Sequence, residues 1–450
     1  MRSALVRLVR FLVGLFYRRI EVAGKEHVPR EGPVLFVANH NNGLVDPMVV
    51  LYTLGRPVVF VAKSTLWKIP LLRSLLDLLG CVPVVRKKEA VEEEEGALKG
   101  EKRNRASFER LADVLGQGGA ILIFPEGRSH SDPRLSPLRT GAARVFLLSR
   151  KSPVVVPVGL WFEQKEIFRS DVLVKFGAPV SPPAAGTVEA WTEAMGAALE
   201  AVTLNADAWK DHEAVAAVDA LYGERIRKNF LEGEENAAHL ERAFSTRRAL
   251  LAARASLEKT HPGDVAALAR RARALDHLLR KISLSFSGLD DPPPATTILW
   301  HTLSALAVIV LGFPVAVLGV AAWWVPYRLC GIVANRVPGA ASERDQIALY
   351  KLIAGFVLFP LALAGWVAAA WAIGGAAWGA LALVSLPFAG ISSLLFFEYA
   401  SWRERQAREL LALLVAPGAI ARLRAERDAL VDECDRLAGA FTGTADNPAG

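Results

Sequence analysis

The sequence predicts an α/β fold in which helices cover a sheet, followed by a helical region and C-terminal transmembrane helices. Three observations predict it. Apolar strand-like runs alternate with helical ones between residues 34 and 180. Residues 186–285 are rich in Ala, Leu, Glu and Arg and carry no strand signal. Residues 292–327 and 352–397 then contain no Asp, Glu, Lys or Arg.

The strand runs are 34–39, 57–62, 81–85, 120–124, 154–160 and 172–176, with helical stretches at 70–79, 106–115 and 140–148. Pro70 suits a first helical position, where its missing N–H costs nothing. Residues 87–105 are dense in charge and read as a solvated loop. Ahead of the first strand, residues 1–20 hold Arg2, Arg7, Arg10, Arg18 and Arg19. On a helical wheel Ser3, Arg7, Arg10, Gly14 and Arg18 share a narrow stripe. The apolar run 11–17 is too short to span a bilayer. This segment is either an interfacial helix on anionic lipid or an amphipathic helix docked on the domain.

Residues 264–282 place Arg270, Arg271, Arg273, Arg280 and Lys281 beside a leucine face. That helix faces the domain, the membrane or solvent. The uncharged stretch 352–397 is 46 residues long and broken by Gly374-Gly375, enough for two spans of roughly 20 residues joined by a tight turn. The stretch 292–327 has Pro314 in its middle and reads as one kinked span or as a re-entrant hairpin bent there, the hairpin being the form that agrees with the charge rule. With positive charge kept cytoplasmic, residues 1–291, 328–351 and 398–450 then all lie inside. In the tail, Leu423, Leu430 and Leu437 recur every seven residues after a break at Pro417-Gly418, a weak coiled-coil signal. The expected organisation is a basic amphipathic membrane-interface helix (1–20), an α/β domain (21–185), a helical region (186–291), apolar hairpins (292–400) and a charged helical tail (401–450).

With 53 Lys and Arg against 46 Asp and Glu the net charge is +7, and the pI is about 9.4. No nucleic-acid recognition motif accompanies that charge, and its basic residues concentrate beside apolar segments, so membrane lipid is the expected partner and nucleic acid is not. Mean hydropathy is +0.28, owing to the last third of the chain. Cys81, Cys330 and Cys434 are scattered, which argues for a reducing compartment and against a disulfide framework. There is no P-loop, Gly-x-Ser-x-Gly elbow, zinc-type helix or dinucleotide fingerprint, so no cofactor is implied.

The chemistry gathers where the first strand ends. Val37-Ala38-Asn39-His40-Asn41-Asn42-Gly43-Leu44-Val45-Asp46-Pro47 opens a polar turn with a histidine and closes it with an aspartate. Histidine takes a proton near neutral pH, and a carboxylate can fix its tautomer and stabilise the cation. Downstream come Gly80-Cys81-Val82-Pro83-Val84-Val85-Arg86, Ile123-Phe124-Pro125-Glu126-Gly127-Arg128-Ser129 and Val155-Val156-Pro157-Val158-Gly159. In this order and spacing the four blocks, over roughly residues 20–180, resemble the glycerolipid acyltransferase superfamily.

That resemblance implies a mixed acyltransferase-type sheet. It also implies transfer of a fatty acyl group from acyl-CoA or acyl carrier protein to a hydroxyl of a phosphate-bearing glycerolipid acceptor, glycerol-3-phosphate or 1-acylglycerol-3-phosphate. His40 is then the general base and Asp46 its orienting partner, with the substrate hydroxyl in place of a protein nucleophile. Asn39, Arg86, Glu126, Gly127, Arg128 and Ser129 are implied to bind substrate. Two departures mark this sequence. Five residues separate His40 from Asp46, one more than the commonest pattern, and resemble the branch that includes glycerol-3-phosphate and dihydroxyacetone-phosphate acyltransferases. Gly43 suits the bulge this spacing requires. In the third block Arg128 stands where Thr is usual and one residue is missing. His130 reads as a polar loop residue or a second base, Arg86 as a phosphate ligand or a surface arginine. Pro157 and Gly159 shape an acyl groove or merely end a buried strand. Acylation of another lysophospholipid or an aminolipid, or a non-catalytic membrane scaffold, are the rival functions.

Overall fold

A computed structural model describes residues 2–68, 70–85, 94–230, 238–282, 284, 286, 289, 295–336, 347–415 and 417–445. Seven strands form one sheet in the order β1 (Arg19–Ala23), β7 (Asp171–Phe176), β6 (Val154–Phe162), β2 (Val34–Ala38), β5 (Ala120–Ile123), β3 (Val59–Lys63) and β4 (Val82–Val84). Every neighbouring pair is parallel except β6 with β7. β1 and β7 therefore run against the other five, and the sheet is mixed, as expected.

β2 is central, and all five of its residues are buried. A strand covered on both faces reads as an unbroken apolar run, which is what 34–38 shows. One face is covered by α4 (Glu94–Gly116), α5 (Gly141–Leu148) and α6 (Val188–Ala201). Leu111, Leu115, Val145, Trp191 and Met195 there pack on Leu35, Val37, Ile121 and Val155. Each fully buried aliphatic side chain contributes about 1.5–3 kcal/mol. α1 (Arg2–Phe16) and α2 (Val45–Thr53) pack on each other, and α2 contacts β7. Between β3 and β4 runs α3 (Pro70–Leu79), with the expected bounds.

Three expectations for this unit change. β1 was not expected; its alternation of Arg19 and Glu21 with Ile20 and Val22 is an edge-strand pattern hidden in an arginine-rich segment. The charge-rich loop is helix from Glu94 onward, with Lys102, Arg103, Arg105, Glu109 and Arg110 on an exposed surface of α4; residues 86–93 lie outside the described residues. Arg10, assigned to a basic stripe, instead donates to the Leu51 and Leu54 carbonyls at the C-terminal end of α2, at 3.4 and 2.6 Å. There it satisfies orphan carbonyls and complements the helix dipole. Val9, Val13 and Phe16 of α1 are buried, while Leu8 and Phe11 stay exposed.

The chain divides into two compact units, the first built on Met1–Ala208 with Asn236–Phe244, the second on Ser245–Val337 and Tyr350–Gly450 with Trp209–Glu235. Helices α7 (Trp209–Phe230), α8 (His239–Thr260), α9 (Pro262–Lys281) and α12 (Pro417–Ala445) follow the sheet. The heptad positions of α12 serve an intramolecular bundle: Leu430 and Leu437 pack with Leu268, Leu275 and Leu279. Arg271 of α9 reaches Glu426 and Glu433 of α12 at 2.9 Å each.

α10 (Ala295–Arg336) and α11 (Ile347–Val415) hold the uncharged stretches. The re-entrant hairpin expected at Pro314 is overturned, because α10 continues through Pro314 and Pro326. A proline removes one helical hydrogen bond and kinks a helix; reversing the chain needs turn residues that Pro314 lacks. Gly374-Gly375 supplies them. The backbone leaves helical geometry there, with Gly375 at φ +72°. A Cβ on Gly379 would lie 3.4 Å from the Cβ of Trp371, whereas eight residues of continuous helix separate atoms by about 12 Å. α11 therefore folds back on itself. Its second half lies antiparallel to α10: Leu386 accepts from Trp323, Ala316 from Ser393, and Ser304 from Arg403.

Candidate active site

The C-terminal ends of β2, β5 and β6 share one edge of the sheet, since the three strands are parallel neighbours. A crevice outside such strand ends is where α/β sheets place ligands. β1 runs the other way, so the residues entering it reach the same edge.

His40 follows β2, and Asp46 lies in the first turn of α2, where the helix dipole favours a carboxylate. Despite five intervening residues the two side chains meet, His40 Nδ1 lying 2.8 Å from Asp46 Oδ2. Gly43, at φ +52°, absorbs the extra residue in the left-handed region. The same Oδ2 accepts from the backbone N–H groups of Asn41 and Asn42, at 2.9 and 2.8 Å. Asp46 is fully buried and the His40 side chain 14% exposed. The imidazole stacks on Phe124, centroids 4.1 Å apart and planes at 19°. With Nδ1–H donated to the carboxylate, Nε2 presents its lone pair, which is the tautomer a general base needs.

Glu126, after β5, ties this loop to its own. Oε1 accepts from the His40 N–H at 2.8 Å, and Oε2 from the Ser136 N–H at 2.8 Å and from His130 Nε2. Glu126 is 2% exposed, and both its oxygens are engaged by these donors. His130, buried beside it, accepts at Nδ1 from the Asp132 N–H. That geometry makes it a polar loop residue rather than a second base. Gly127 sits at φ +71°. Arg128 is exposed, with its guanidinium near Asp132 and Ser136 at 3.1 and 3.3 Å. It lines an open groove of about 610 Å³ with Arg134, Leu138 and Glu200. Ser129 is partly buried between Arg128 and His130.

Asn39, implied to touch substrate, has its amide committed elsewhere: it donates to the Leu160 carbonyl at 3.0 Å and accepts from the Leu160 N–H at 2.7 Å. It pins the end of β2 to β6. Gly159 serves a different packing: it lets the end of α6 approach β6, since a Cβ there would meet the Val202 carbonyl oxygen at 1.8 Å. Arg86 lies outside the described residues. Just before it, Asn104 of α4 grips the Val85 N–H and C=O, at 2.8 Å each.

Sequence reasoning missed Tyr17 and Lys165, which brace the loop from outside. No spacing rule marks them, because Tyr17 precedes β1 and Lys165 lies in the β6–β7 connection; only the topology brings them together. Burial raises the Tyr17 phenol above its ordinary range, and the Asp46 charge adds to this, so it stays protonated. Among the described residues no cluster of three or more His, Cys, Asp or Glu could hold a metal ion.

An imidazole fixed by a buried carboxylate, its other nitrogen turned outward at a strand end, is an arrangement able to take a proton from a hydroxyl. Residues 19–161, which make up most of this α/β domain, match the family model described as Acyltransferase. Over 181 residues the chain is 26% identical to a 1-acyl-sn-glycerol-3-phosphate acyltransferase of Borreliella burgdorferi, covering 40% of this chain and 64% of that protein. It is 24% identical to glycerol-3-phosphate O-acyltransferase 1 of Saccharomyces cerevisiae, covering 37% of this chain and 33% of that one. The chain thus spans less than two thirds of either relative. The crystal structure of the 1-acyl-sn-glycerophosphate acyltransferase PlsC from Thermotoga maritima aligns at 19% identity and a TM-score of 0.34, over 45% of this chain and 80% of that one.

Proposed function

We propose that the protein is a membrane-associated acyltransferase that moves a fatty acyl group from acyl-CoA or acyl carrier protein to a hydroxyl of glycerol-3-phosphate or 1-acylglycerol-3-phosphate. The 2.8 Å contact between His40 Nδ1 and Asp46 Oδ2 carries this reading. His40 Nε2 takes the acceptor's hydroxyl proton as the oxygen attacks the thioester carbonyl. An ester C–O bond forms, the C–S bond breaks, and the imidazolium returns its proton to the departing thiolate. The names of the relatives support the acceptor pair. The test is full-length protein in detergent, offered labelled acyl-CoA and, separately, labelled acyl-acyl carrier protein, with a panel of acceptors. Transfer to either glycerophosphate supports the reading. Transfer only to another lysophospholipid or an amine-bearing lipid replaces the acceptor, and no transfer from any donor leaves a scaffold.

Arg128 supplies a cation for the acceptor phosphate in this reading. Arg128→Ala is expected to raise the acceptor KM about 3–10-fold with kcat little changed, since a half-exposed fork acts as uniform binding. An unchanged KM removes it from the phosphate site.

Membrane association is supported by α10 and α11, both long and apolar enough to cross a bilayer. Residues 1–291 and 398–450 are both rich in Arg and Lys, and keeping both on one side requires that one of the three helical segments, α10 or a half of α11, not cross fully. The positive charge of the flanking segments makes that side cytoplasmic, and the catalytic domain shares it. Single cysteines at Lys151 and Arg422 are therefore expected to react with an impermeant thiol reagent from the same side, and one at Ala376 from the other. Labelling of Lys151→Cys and Arg422→Cys from opposite sides sinks this topology.

A further inference from the structure

We propose that Lys165 and Tyr17 are positioning residues for the catalytic pair, bracing the long loop between His40 and Asp46; the role assigned to that pair rests on the acyltransferase reading above. Between the end of β2 and the start of α2 the chain has no regular secondary structure, and its glycine adds conformations that must be suppressed. What holds it is a ring of polar contacts around Asp46. Two of the three donors on Asp46 Oδ2 are the N–H groups of Asn41 and Asn42, and each of these residues is fixed from outside the loop.

Lys165 Nζ donates to the Asn41 carbonyl at 2.8 Å and to Ser131 Oγ at 2.6 Å. The Asn41 carbonyl and the Asn42 N–H belong to one peptide group. The ammonium on its oxygen polarises the N–H that points at Asp46, so the two hydrogen bonds strengthen each other. The chain of contacts runs from Lys165 Nζ through that peptide to Asp46 Oδ2, and from Oδ2 to His40 Nδ1. The Asn42 side chain, fully buried, donates from Nδ2 to Tyr17 OH at 3.1 Å and to the Lys165 carbonyl at 3.3 Å. Tyr17 is itself 1% exposed.

The two braces form one support. Arg169 donates its N–H to the Phe16 carbonyl at 2.7 Å, Arg18 donates to the Ser170 carbonyl at 3.0 Å, and Phe16 stacks edge-on against Phe168. The end of α1 and the β6–β7 connection are thus joined behind the loop. Ser131 brings in the segment after β5, so one ammonium links both polar loops of the site.

The test uses full-length wild type, Lys165→Met, Lys165→Arg and Tyr17→Phe. Acyl transfer to 1-acylglycerol-3-phosphate and amide hydrogen exchange of the peptide covering residues 39–46 are both measured. Lys165→Met is expected to lower kcat about 10²-fold, the scale of an ångström-sized misplacement, with the acceptor KM little changed. Exchange of the loop is expected to speed up. Lys165→Arg should recover most of the rate, and Tyr17→Phe should lower kcat about 3–10-fold on the same grounds. If Lys165→Met raises KM and spares kcat, Lys165 is an acceptor ligand and the brace is wrong. Unchanged kcat and exchange in both Lys165→Met and Tyr17→Phe overturns it as well. If Lys165→Met does not fold, Tyr17→Phe, which loses a single oxygen, decides. A wild type inactive on every acceptor defeats the functional reading, and the exchange data still decide the brace.

Discussion

His40→Ala is expected to lower kcat by about 10²–10⁴-fold, the usual contribution of a positioned general base. The fold should survive. The imidazole is partly exposed and rests on Phe124, while the contacts that hold the segment are made by its backbone: the His40 N–H to Glu126 and the His40 carbonyl from the His130 N–H at 3.1 Å. Alanine keeps both. Asp46→Asn is the informative companion. Oδ2 carries all three donors, whereas Oδ1 has no hydrogen-bond partner among the described residues. Asparagine can therefore leave its oxygen where Oδ2 was and turn its NH₂ toward the Oδ1 position. It loses the charge that stabilises imidazolium but keeps the tautomer. The expected loss is about 10–10²-fold, smaller than for His40→Ala. Steady-state rates with circular dichroism as the folding control check both. Near wild-type transfer in folded His40→Ala removes the general base from the mechanism.

The sheet was legible because parallel, doubly covered strands must be apolar throughout. The runs at 34–38, 120–123 and 154–160 stand out against the polar loops that follow them. The His40–Asp46 pair was legible for a related reason, since chemistry-bearing residues directly after a buried strand have few structural excuses. What stayed hidden depended on contacts distant in sequence. β1 is short and charged on alternate positions, and only pairing with β7, 152 residues on from Arg19 to Asp171 in register, makes it a strand. Pro314 invited a hairpin because a proline inside an apolar run can mark a break; α10 absorbs it, and Ser393 and Phe396 of α11 pack against the same segment. The substrate roles implied for Asn39 and Glu126 came from motif position alone. Their amide and carboxylate turn inward, toward Leu160 and toward His40, and hold the loop that carries the imidazole.

Glu126 puts that claim to the hardest test. Its buried carboxylate accepts from three donors on two loops, and hydrogen bonds to a charged group are each worth about 1.5–3 kcal/mol. Glu126→Ala leaves the His40 N–H, the Ser136 N–H and the His130 Nε2–H without their acceptor in a buried site. The bonds are not additive, and water will reach the partly exposed loop, so the expected cost is about 3–5 kcal/mol. Glu126→Gln is milder but not silent: whichever way the amide turns, its NH₂ faces a donor, either the His40 N–H or the pair from Ser136 and His130. About 1–3 kcal/mol is expected. Because the His40 backbone is one of the three donors, kcat should fall together with stability in both variants. A carboxylate that instead contacts the acceptor behaves differently. Glu126→Gln would then raise the acceptor KM and leave the thermal unfolding of the α/β unit unchanged. Tryptophan fluorescence melts of the full-length protein in detergent, with Trp161 and Trp191 reporting on that unit, set beside acceptor titrations of the same two variants, separate the cases. A raised KM with an unshifted melt makes Glu126 a ligand, and a lowered melt with lowered kcat makes it the tie between the two loops.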